Sequence, residues 1–491
     1  MRPAAISLLA CLTLVACAAK PKPDLRLPAA YEAPQPAQAD AQASVALDRW
    51  WETFGDAQLT ALIDQALVAN PDAKTAAARL REARASRVSA LSAFLPKGDL
   101  SGSATHTDTD QIKGGLPAGA QFPGFVIPGV SFGGPSDTYS ANFDVSWEVD
   151  LFGRLWAARR AANADVAAAT FDYQATRTSL AAQVADSYFL ARGLAIQLAD
   201  AREAARIQRE LYDLASKRAQ AGLAATSEPD RIAGDLAQSE AEAARLEAEL
   251  QAERRTLLTL AGRISEPTSN VDTPPFVGAA PEVPATLPSD LLLRRPDVRS
   301  AEAQLAGAVG RRDVARLALL PTFTLRPGLG WQRIEQSGTI QESSSWSIGG
   351  ALSQPLLDIP NLLAQARVYD ARTQQAAAAY EKAVQTAFGE AEGAMVRLAA
   401  DRRRVALLVD GEARAQRAYR AARLGYSLGL SDLQTTLSAE QAWRATRTQL
   451  TAAQVQAVRR AVQAFKAVGG GWPGAAQAAS AQGGQSRDRT G

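Results

Sequence analysis

An internal duplication is the feature of this sequence that most constrains its fold. Set side by side without a gap, the stretch from Pro71-Asp72 to Leu95-Pro96 matches the stretch from Pro296-Asp297 to Leu320-Pro321. Between these ends the matched pairs are Leu80 with Leu305, Ala83 with Ala308, Arg87 with Arg312, and Ala90 with Ala315. Alanine is abundant in the chain, but the paired prolines do not depend on that abundance. The repeat predicts two copies of one structural unit in place of several unrelated domains.

The duplication divides the chain into six predicted segments. They are residues 1–16 (signal peptide), 17–55 (amino-terminal segment), 56–265 (first repeat), 266–288 (Pro-rich linker), 289–470 (second repeat) and 471–491 (tail). Each repeat is predicted to contain a helix, two strands, and a long helix followed by a returning helix. The tail is rich in Ala, Gln, Ser and Gly, a composition typical of disorder.

Two very long helices are predicted because proline is absent from residues 136–228 and again from residues 361–472. A helix over residues 155–220 would be about 100 Å long, which exceeds the size of one globular domain. A periodic helix of this length is typical of a coiled coil or a helical barrel. Gly222 and Gly429 mark the predicted turns, from which helices return over residues 230–260 and 432–468.

Each repeat begins with a predicted helix, at residues 56–94 and 290–319, and continues with two strands. Asn70-Pro71 and Arg295-Pro296 are expected to start or break a helix, because the residue before proline avoids the α region. The strands are predicted at residues 100–108, 138–149, 322–331 and 346–352, with loops at about 112–136 and 333–344. Residues 138–149 alternate between apolar and polar side chains, which suits a barrel strand with lipid on one side and a polar lumen on the other.

The amino terminus has the pattern of an exported lipoprotein. Arg2 precedes an apolar run that ends near Val15, and this run is too short for a membrane span of roughly 20 residues. The sequence Leu14-Val15-Ala16-Cys17 looks like a bacterial lipobox, in which Cys17 would carry diacylglycerol and an N-acyl lipid. The alternative is a plain signal peptide that contains Cys17 by chance. Because Ala18 is not Asp, known sorting rules imply the outer membrane.

Composition argues against several other classes of protein. The net charge is +2, which gives no reason to expect a nucleic-acid partner. His106 is the only histidine and is expected to face solvent on a strand, and Cys11 would be removed with the signal peptide, so neither a metal site nor a catalytic constellation is predicted. No nucleotide-binding loop is present. Beyond the signal there is no apolar run of 18 residues, so a membrane crossing is expected to use strands closed into a barrel.

Four motifs, in their order along the repeats, resemble the TolC/OprM outer-membrane factor family. They are Trp50-Trp51-Glu52-Thr53-Phe54-Gly55-Asp56, Trp147-Glu148-Val149-Asp150-Leu151-Phe152-Gly153, Gln354-Pro355-Leu356-Leu357-Asp358 and Gly469-Gly470-Gly471-Trp472. The resemblance extends from the lipobox to Trp472. The lipobox is similar to that of the lipoprotein branch, which is often named NodT-type.

The resemblance implies an α+β membrane protein that assembles as a homotrimer. Each protomer would contribute four strands to a twelve-stranded β-barrel in the outer membrane, continuous with a long periplasmic α-helical barrel. Residues 17–55, lipidated at Cys17, would join a mixed equatorial region. The implied function is that of a passive exit duct for drugs or other small molecules, without a cofactor beyond the lipid. Its implied partners are outer-membrane lipid, a periplasmic adaptor, and an inner-membrane pump of the RND type.

The resemblance also points to a gate at the periplasmic helix turns. Residues 425–429 are similar to the family's tip motif, in which a Tyr ties adjacent coils together, so Tyr426 is a candidate for that tie. Asp432 matches an Asp of the OprM branch and would form a ring of three carboxylates. The sequence departs from TolC at Ser431, Thr435 and Ser438, which stand where that protein has an Arg and two Asp. The alternatives are that Tyr426 is a packing residue, the commoner role for a Tyr, and that Asp432 is a helix N-cap, a role for which Ser431 competes and which can coexist with gating.

Three other functions compete with efflux. A type I protein-secretion duct would have the same fold, and neighbouring genes would distinguish the two. A periplasmic adaptor with a coiled-coil hairpin is disfavoured by the duplication and the paired strands. An enzyme is disfavoured because the sequence contains no catalytic constellation.

Overall fold

The structure is a computed structural model that describes residues 23, 25–33, 47–109, 121–122, 125–126, 135–222, 225–284, 288–336 and 338–471. Cys17, most of the predicted loop at 112–136 and all of the predicted tail except Gly471 lie outside these residues. The helices are α1 (Ala57–Ala69), α2 (Pro71–Ser92), α3 (Arg154–Gln220), α4 (Ser227–Leu260), α5 (Asp290–Arg294), α6 (Pro296–Leu317), α7 (Ile359–Ser427) and α8 (Leu433–Ala467). The strands are β1 (Lys97–Thr107), β2 (Gln121–Phe122), β3 (Phe125–Val126), β4 (Ser136–Val149), β5 (Thr322–Gln336) and β6 (Thr339–Ser353).

The order of elements repeats, as the duplication predicts. In each half a helix is followed by two long strands, a helix of 67 or 69 residues, and a returning helix of 34 or 35 residues. The predicted start of the first long helix differs from the observed one by a single residue. Among the described residues, no helix combines the length and the apolar character that crossing a membrane requires.

The break between α1 and α2 falls at Asn70, where the sequence predicts it. Asn70 has an extended backbone (φ −63°, ψ 134°) because Pro71 excludes the α conformation there. Its side-chain oxygen accepts a hydrogen bond from the backbone N–H of Asp72 at 2.8 Å, and its Nδ2 donates to the carbonyl of Leu260 at 3.0 Å. Asn70 therefore starts α2 and also ties it to the end of α4.

The described residues form two compact units. The first contains the described parts of residues 84–165 and 306–375, with all of the strands and the adjoining ends of four helices. The second contains the described parts of residues 22–83, 166–305 and 376–491, which include most of the helical residues.

The first unit contains a four-stranded antiparallel sheet with the order β1-β4-β5-β6. The central pairing joins the two repeats, with Asp144 of β4 opposite Gly328 of β5. On one face the residues are mainly apolar: Leu100, Tyr139, Phe143, Trp147, Phe323, Leu325, Leu329, Trp331, Trp346, Ile348 and Leu352. On the other they are mainly hydroxyls, amides, glycines and charges: Asp99, Ser101, Ser103, Ser140, Asn142, Asp144, Thr324, Gly328, Gln332, Ser343, Ser345 and Ser347.

The apolar face of the sheet is exposed within the single chain. Leu100 is 81% exposed, Trp346 is 78% exposed, and Leu352 is 69% exposed. A contiguous apolar surface of this kind marks a region that contacts an apolar environment or partner.

The predicted loop at residues 333–344 is wrong. β5 continues to Gln336, which pairs with Thr339 of β6, and Gly338 in the connection between them has φ +81°. This end of the hairpin is mainly polar, with Ile334 on one face and Ile340 on the other, so the sequence lacks the alternation that identifies a strand. Nε of Arg333 donates to Oε1 of Glu335 on its own strand at 2.7 Å, and its Nη1 donates to Oε1 of Glu342 on the opposite strand at 3.3 Å. These charge pairs stabilise the extension.

The amino-terminal motif anchors the helices of the second unit. Trp50 is fully buried and stacks on Phe465 of α8, with ring centroids 5.8 Å apart. Asp56 caps α1 by accepting from the backbone N–H groups of Gln58 (3.0 Å) and Leu59 (3.1 Å). Its second oxygen accepts hydrogen bonds from α3, one from Tyr188 at 2.9 Å and one from the buried Arg192.

Candidate functional site

In the second unit, the ends of the two long helices and the starts of the two returning helices surround one apolar cluster. The cluster contains residues from α3, α4, α7 and α8: Ile207, Leu211, Ala215, Ile232, Tyr419, Tyr426, Leu433, Leu437 and Trp443. The end of α3 and the start of α4 form the first hairpin, and the end of α7 and the start of α8 form the second. The cluster therefore holds the two hairpins of one chain against each other near the predicted tips.

The turn between α7 and α8 is formed by Gly429, as the sequence predicts. Gly429 has φ +73°, a left-handed conformation that costs residues with a side chain free energy. The N–H of Leu430 donates to the carbonyl of Gly425 at 2.8 Å, and the N–H of Gly429 donates to that of Tyr426 at 3.1 Å. These bonds satisfy carbonyls that the end of α7 would otherwise leave unpaired.

The turn after α3 has a related geometry at Gly222, where φ is +71°. The N–H of Gly222 donates to the carbonyl of Ala219 at 3.0 Å, and the N–H of Ala221 donates to that of Lys217 at 3.1 Å. Residues 223 and 224 lie outside the described part of the chain. Both predicted tip glycines thus follow the last turn of a long helix.

Tyr426 connects the two hairpins. It is 2% exposed, and the guanidinium carbon of Arg218 in α3 lies 4.8 Å from the centre of its ring. Arg218 also donates to the backbone carbonyl of Tyr426 at 3.4 Å. Burial raises the pKa of the Tyr426 hydroxyl, Arg218 lowers it, and the carboxylate of Glu228 in α4 raises it. The hydroxyl stays neutral at physiological pH, so its ring and backbone supply the contacts with Arg218.

Asp432 is the N-cap of α8. Its exposed carboxylate accepts a hydrogen bond from the backbone N–H of Thr435 at 2.7 Å. Hydrogen bonding from Thr435, by its side chain and its backbone, lowers the pKa of Asp432, so the carboxylate is ionised at neutral pH. The competing cap, Ser431, donates instead to the carbonyl of Ala422 at 3.1 Å. The cap role is therefore that of Asp432, and its charge remains available to solvent.

Glu440 is a polar residue in this region that the sequence does not identify as a site. It is fully buried, and it accepts a hydrogen bond from Nε2 of Gln208 in α3 at 2.8 Å. Burial raises the pKa of Glu440 to about 7, against the lowering effect of Arg444. Its spacing from Leu433 and Leu437 puts it on the apolar stripe of α8, which is the one signal in the sequence.

The aromatic part of the cluster borders a groove of about 480 Å³ between the four helices. Tyr419 and Trp443 stack there with ring centroids 5.2 Å apart and an interplanar angle of 7°. The indole N–H of Trp443 donates to Glu412 at 2.8 Å. Arginines from α3, α7 and α8 line the groove, namely Arg206, Arg420, Arg423, Arg444 and Arg447.

The remaining predicted positions belong to the first unit or lie outside the described residues. His106 is exposed on β1, as predicted, with its Nδ1 2.7 Å from Asp137 of β4. Within the described ranges, no group of three or more His, Cys, Asp or Glu could hold a metal ion. Cys17 lies outside the described residues.

Comparison with known proteins gives consistent matches along the chain. The sequence model of the family described as "Outer membrane efflux protein" matches residues 62–263 and 287–470. The pyoverdine export outer membrane protein OpmQ of Pseudomonas aeruginosa is 30% identical over 476 residues, covering 94% of this chain and 96% of OpmQ. The cation efflux system protein CusC of Escherichia coli is 26% identical over 476 residues, covering 94% and 97%.

Solved structures are similar in fold. The outer-membrane channel OprN superposes with a TM-score of 0.75 at 28% identity, covering 93% of this chain and all of OprN. The open state of the Neisseria gonorrhoeae MtrE outer membrane channel gives a TM-score of 0.77 at 24% identity, covering 93% and 99%. The second likeness concerns the fold alone.

Two substitutions of Tyr426 distinguish the contribution of its ring from that of its hydroxyl. We expect Tyr426→Ala to cost about 3 kcal/mol of local stability, because it opens a cavity in the apolar cluster and removes the ring beneath Arg218. Tyr426→Phe keeps the ring and should cost less than about 1 kcal/mol. Hydrogen exchange of the amides around residues 420–437 measures both changes. If the two variants lose protection equally, the hydroxyl carries the tie and the packing interpretation is wrong.

Proposed function

The chain belongs to the outer membrane efflux protein family, and from this premise we propose that its cargo consists of drugs or other small molecules. It is the outer-membrane channel component of a tripartite efflux system and extends into the periplasm. The family resemblance and the TolC-like fold predicted from the sequence are confirmed. Such a channel conducts its cargo, and we propose that it catalyses no reaction.

The observation that best supports the proposal is the difference between the two faces of the sheet. One face consists mainly of Ser, Thr, Asn, Gln, Gly and Asp residues, which suits a solvated path, while the other face exposes Leu, Trp and Ile. Three copies would join their strands as a homotrimer with a twelve-stranded barrel, so that the edge strands β1 and β6 pair with neighbouring copies.

The names of the relatives support a small-molecule cargo, because the exported substances that they mention differ from one relative to the next but are all small. They include a pyoverdine export protein, a cation efflux protein, and the solvent efflux pump protein SrpC of Pseudomonas putida, which is 29% identical. The channel works with a periplasmic adaptor and an inner-membrane pump. We propose that the pump is of the RND type, as the resemblance to the lipoprotein branch implies.

We propose further that Tyr426 and Asp432 form the gate at the periplasmic end. Around the threefold axis of a trimer, three exposed Asp432 carboxylates would attract cations and repel one another. Tyr426 would hold the two hairpins of each protomer together in the closed state through Arg218. The arrangement joins a contact that keeps the end closed with a charge that favours its opening.

Deletion of the gene tests the cargo. The deleted strain should become more sensitive to at least one class of small toxic compound, because the exit of the pump is lost, and the wild-type gene should restore resistance. Susceptibility profiling across antibiotics, dyes, solvents and metal ions measures this. A deletion that leaves every sensitivity unchanged but abolishes a secreted protein would support the type I secretion alternative instead.

Asp432 variants separate the charge from the cap. Asp432→Asn retains an N-cap of similar quality but removes the charge, whereas Asp432→Ala also loses the cap, at about 1 kcal/mol. We expect both variants to show weaker block by divalent cations in planar bilayers, and only the Ala variant to show increased hydrogen exchange at the start of α8. Wild-type block in the Asn variant would rule out a gating role for this carboxylate.

Lipidation at Cys17 is our proposal for the membrane anchor, supported by the lipobox-like sequence before it. Cys17→Ser should abolish incorporation of labelled palmitate, and the chain should be partly retained in the outer membrane because the sheet still inserts. Cys11→Ser is the matched control, because Cys11 lies in the segment to be cleaved and its loss should leave labelling unchanged. Labelling that persists in Cys17→Ser would exclude Cys17 as the anchor.

A further inference from the structure

Polar pairs connect α3 to α8 at intervals along their antiparallel contact. As the residue number rises along α3 it falls along α8, so the pairs resemble the rungs of a ladder. The rungs are Ser179 with Lys466 (3.3 Å), Asp186 with Arg459 (2.7 Å), Asp200 with Arg447 (2.7 Å) and Gln208 with Glu440 (2.8 Å). The fourth rung lies nearest to the turn between α7 and α8.

The fourth rung differs from the others in burial and charge. Gln208 is 2% exposed and Glu440 is fully buried within a single chain, so assembly with other copies does not alter their contact with water. Nε2 of Gln208 donates to Oε2 of Glu440, but Oε1 of Gln208 and Oε1 of Glu440 accept no hydrogen bond from any described residue. Two buried acceptor oxygens thus lack a donor at this rung, and a missing donor there costs free energy.

Charged groups from three helices and a neutral amide from the fourth surround Glu440, and the positive charges only partly offset its desolvation. On α8 itself, Arg444 lies 3.8 Å from Oε1, which is beyond hydrogen-bond distance. On α7, Arg423 favours the ionised form of Glu440, and Tyr419 belongs to the apolar cluster that also contains Leu437 of α8. On α4, Asp235 opposes ionisation, and α3 contributes the neutral Gln208. Desolvation is the largest of these influences and favours the neutral carboxyl.

We propose that Glu440 and Gln208 form a proton-operated joint between α3 and α8. When Glu440 takes a proton from solvent on Oε1, that O–H can donate to Oε1 of Gln208, and the two side chains close a pair with two hydrogen bonds. When the proton returns to solvent, a buried carboxylate remains with one direct donor, and the ends of the two helices separate more readily. The joint itself does not depend on the proposed function, whereas its use as a control on the gate rests on that function.

The sign of the pH effect follows from the direction of the shift. The pKa of Glu440 is raised to about 7 in the packed state from an ordinary value near 4.5, so packing favours the protonated form. The contact is therefore most stable at low pH and weakens as the pH rises from about 5 to about 7. Acidification of the periplasm would hold the hairpins together, and neutral or alkaline conditions would loosen them.

Hydrogen exchange of the full-length protein in lipid nanodiscs tests the joint. With intrinsic rates corrected, protection of amides in residues 204–215 and 435–446 should be about 30-fold lower at about pH 8.5 than at about pH 5.5, since local opening exposes Glu440 to water. Residues 455–467 of α8 serve as an internal reference. Glu440→Gln mimics the neutral form and should abolish the pH dependence. The matched control Glu242→Gln removes an exposed carboxylate of α4 and should retain it.

A second variant tests the same joint without removing Glu440. Gln208→Glu puts a second carboxyl beside Glu440, so the two share a proton and the loss of protection should move to higher pH. Equal protection of the wild type at both pH values would overturn the proposal, as would a pH dependence that survives in Glu440→Gln. The two proposals can fail separately. If hydrogen exchange depends on pH as expected but deletion of the gene changes no sensitivity to small molecules, the joint is supported and the proposed cargo is refuted.

Discussion

The lateral packing of α3 against α8 is the constraint on which the helical part of the structure depends. A helix of 67 residues gains most of its stability from packing against neighbours and little from intrinsic propensity. Small side chains allow the close approach, with Ala181, Ala185 and Ala461 nearly or fully buried. Where Gly193 of α3 faces Val455 of α8, an added Cβ would lie 2.6 Å from a methyl carbon of Val455, so only glycine fits without movement of Val455. Alanine is abundant in these helices because the helices must lie this close together.

Small residues bring helices together but specify register weakly, because one alanine surface fits another in several positions. The polar rungs supply the missing specificity. Asp186 with Arg459 and Asp200 with Arg447 are partly exposed, so each adds little net free energy, yet a shifted register would leave the charges unpaired. Glu440 is fully buried, so in a shifted register it could not reach water in place of Gln208. It therefore fixes the register near the turn, at a cost in desolvation free energy.

Features that depend on a residue's own backbone could be predicted from the sequence, whereas features that depend on a distant partner could not. The long helices, the break at Asn70 and the turn at Gly429 were predictable because proline and glycine act on their own backbone. The extension of β5 and β6 was missed because charges around Arg333 interrupt the alternation and are paired only across the hairpin. Gln208 and Glu440 are separated by 232 positions, so the stripe on α8 was visible in the sequence while its partner was not.

Two carboxylates near the start of α8 have pKa values shifted in opposite directions. Asp432 is exposed, and hydrogen bonding from Thr435 lowers its pKa, so it keeps its charge across the physiological range. Glu440, eight positions later and about 12 Å along the helix axis, is buried and exchanges its proton near neutrality. One change in pH therefore leaves the charge at the helix end constant and alters only the contact behind it. The two groups can do so because one helix presents the first to water and the second to its apolar partners.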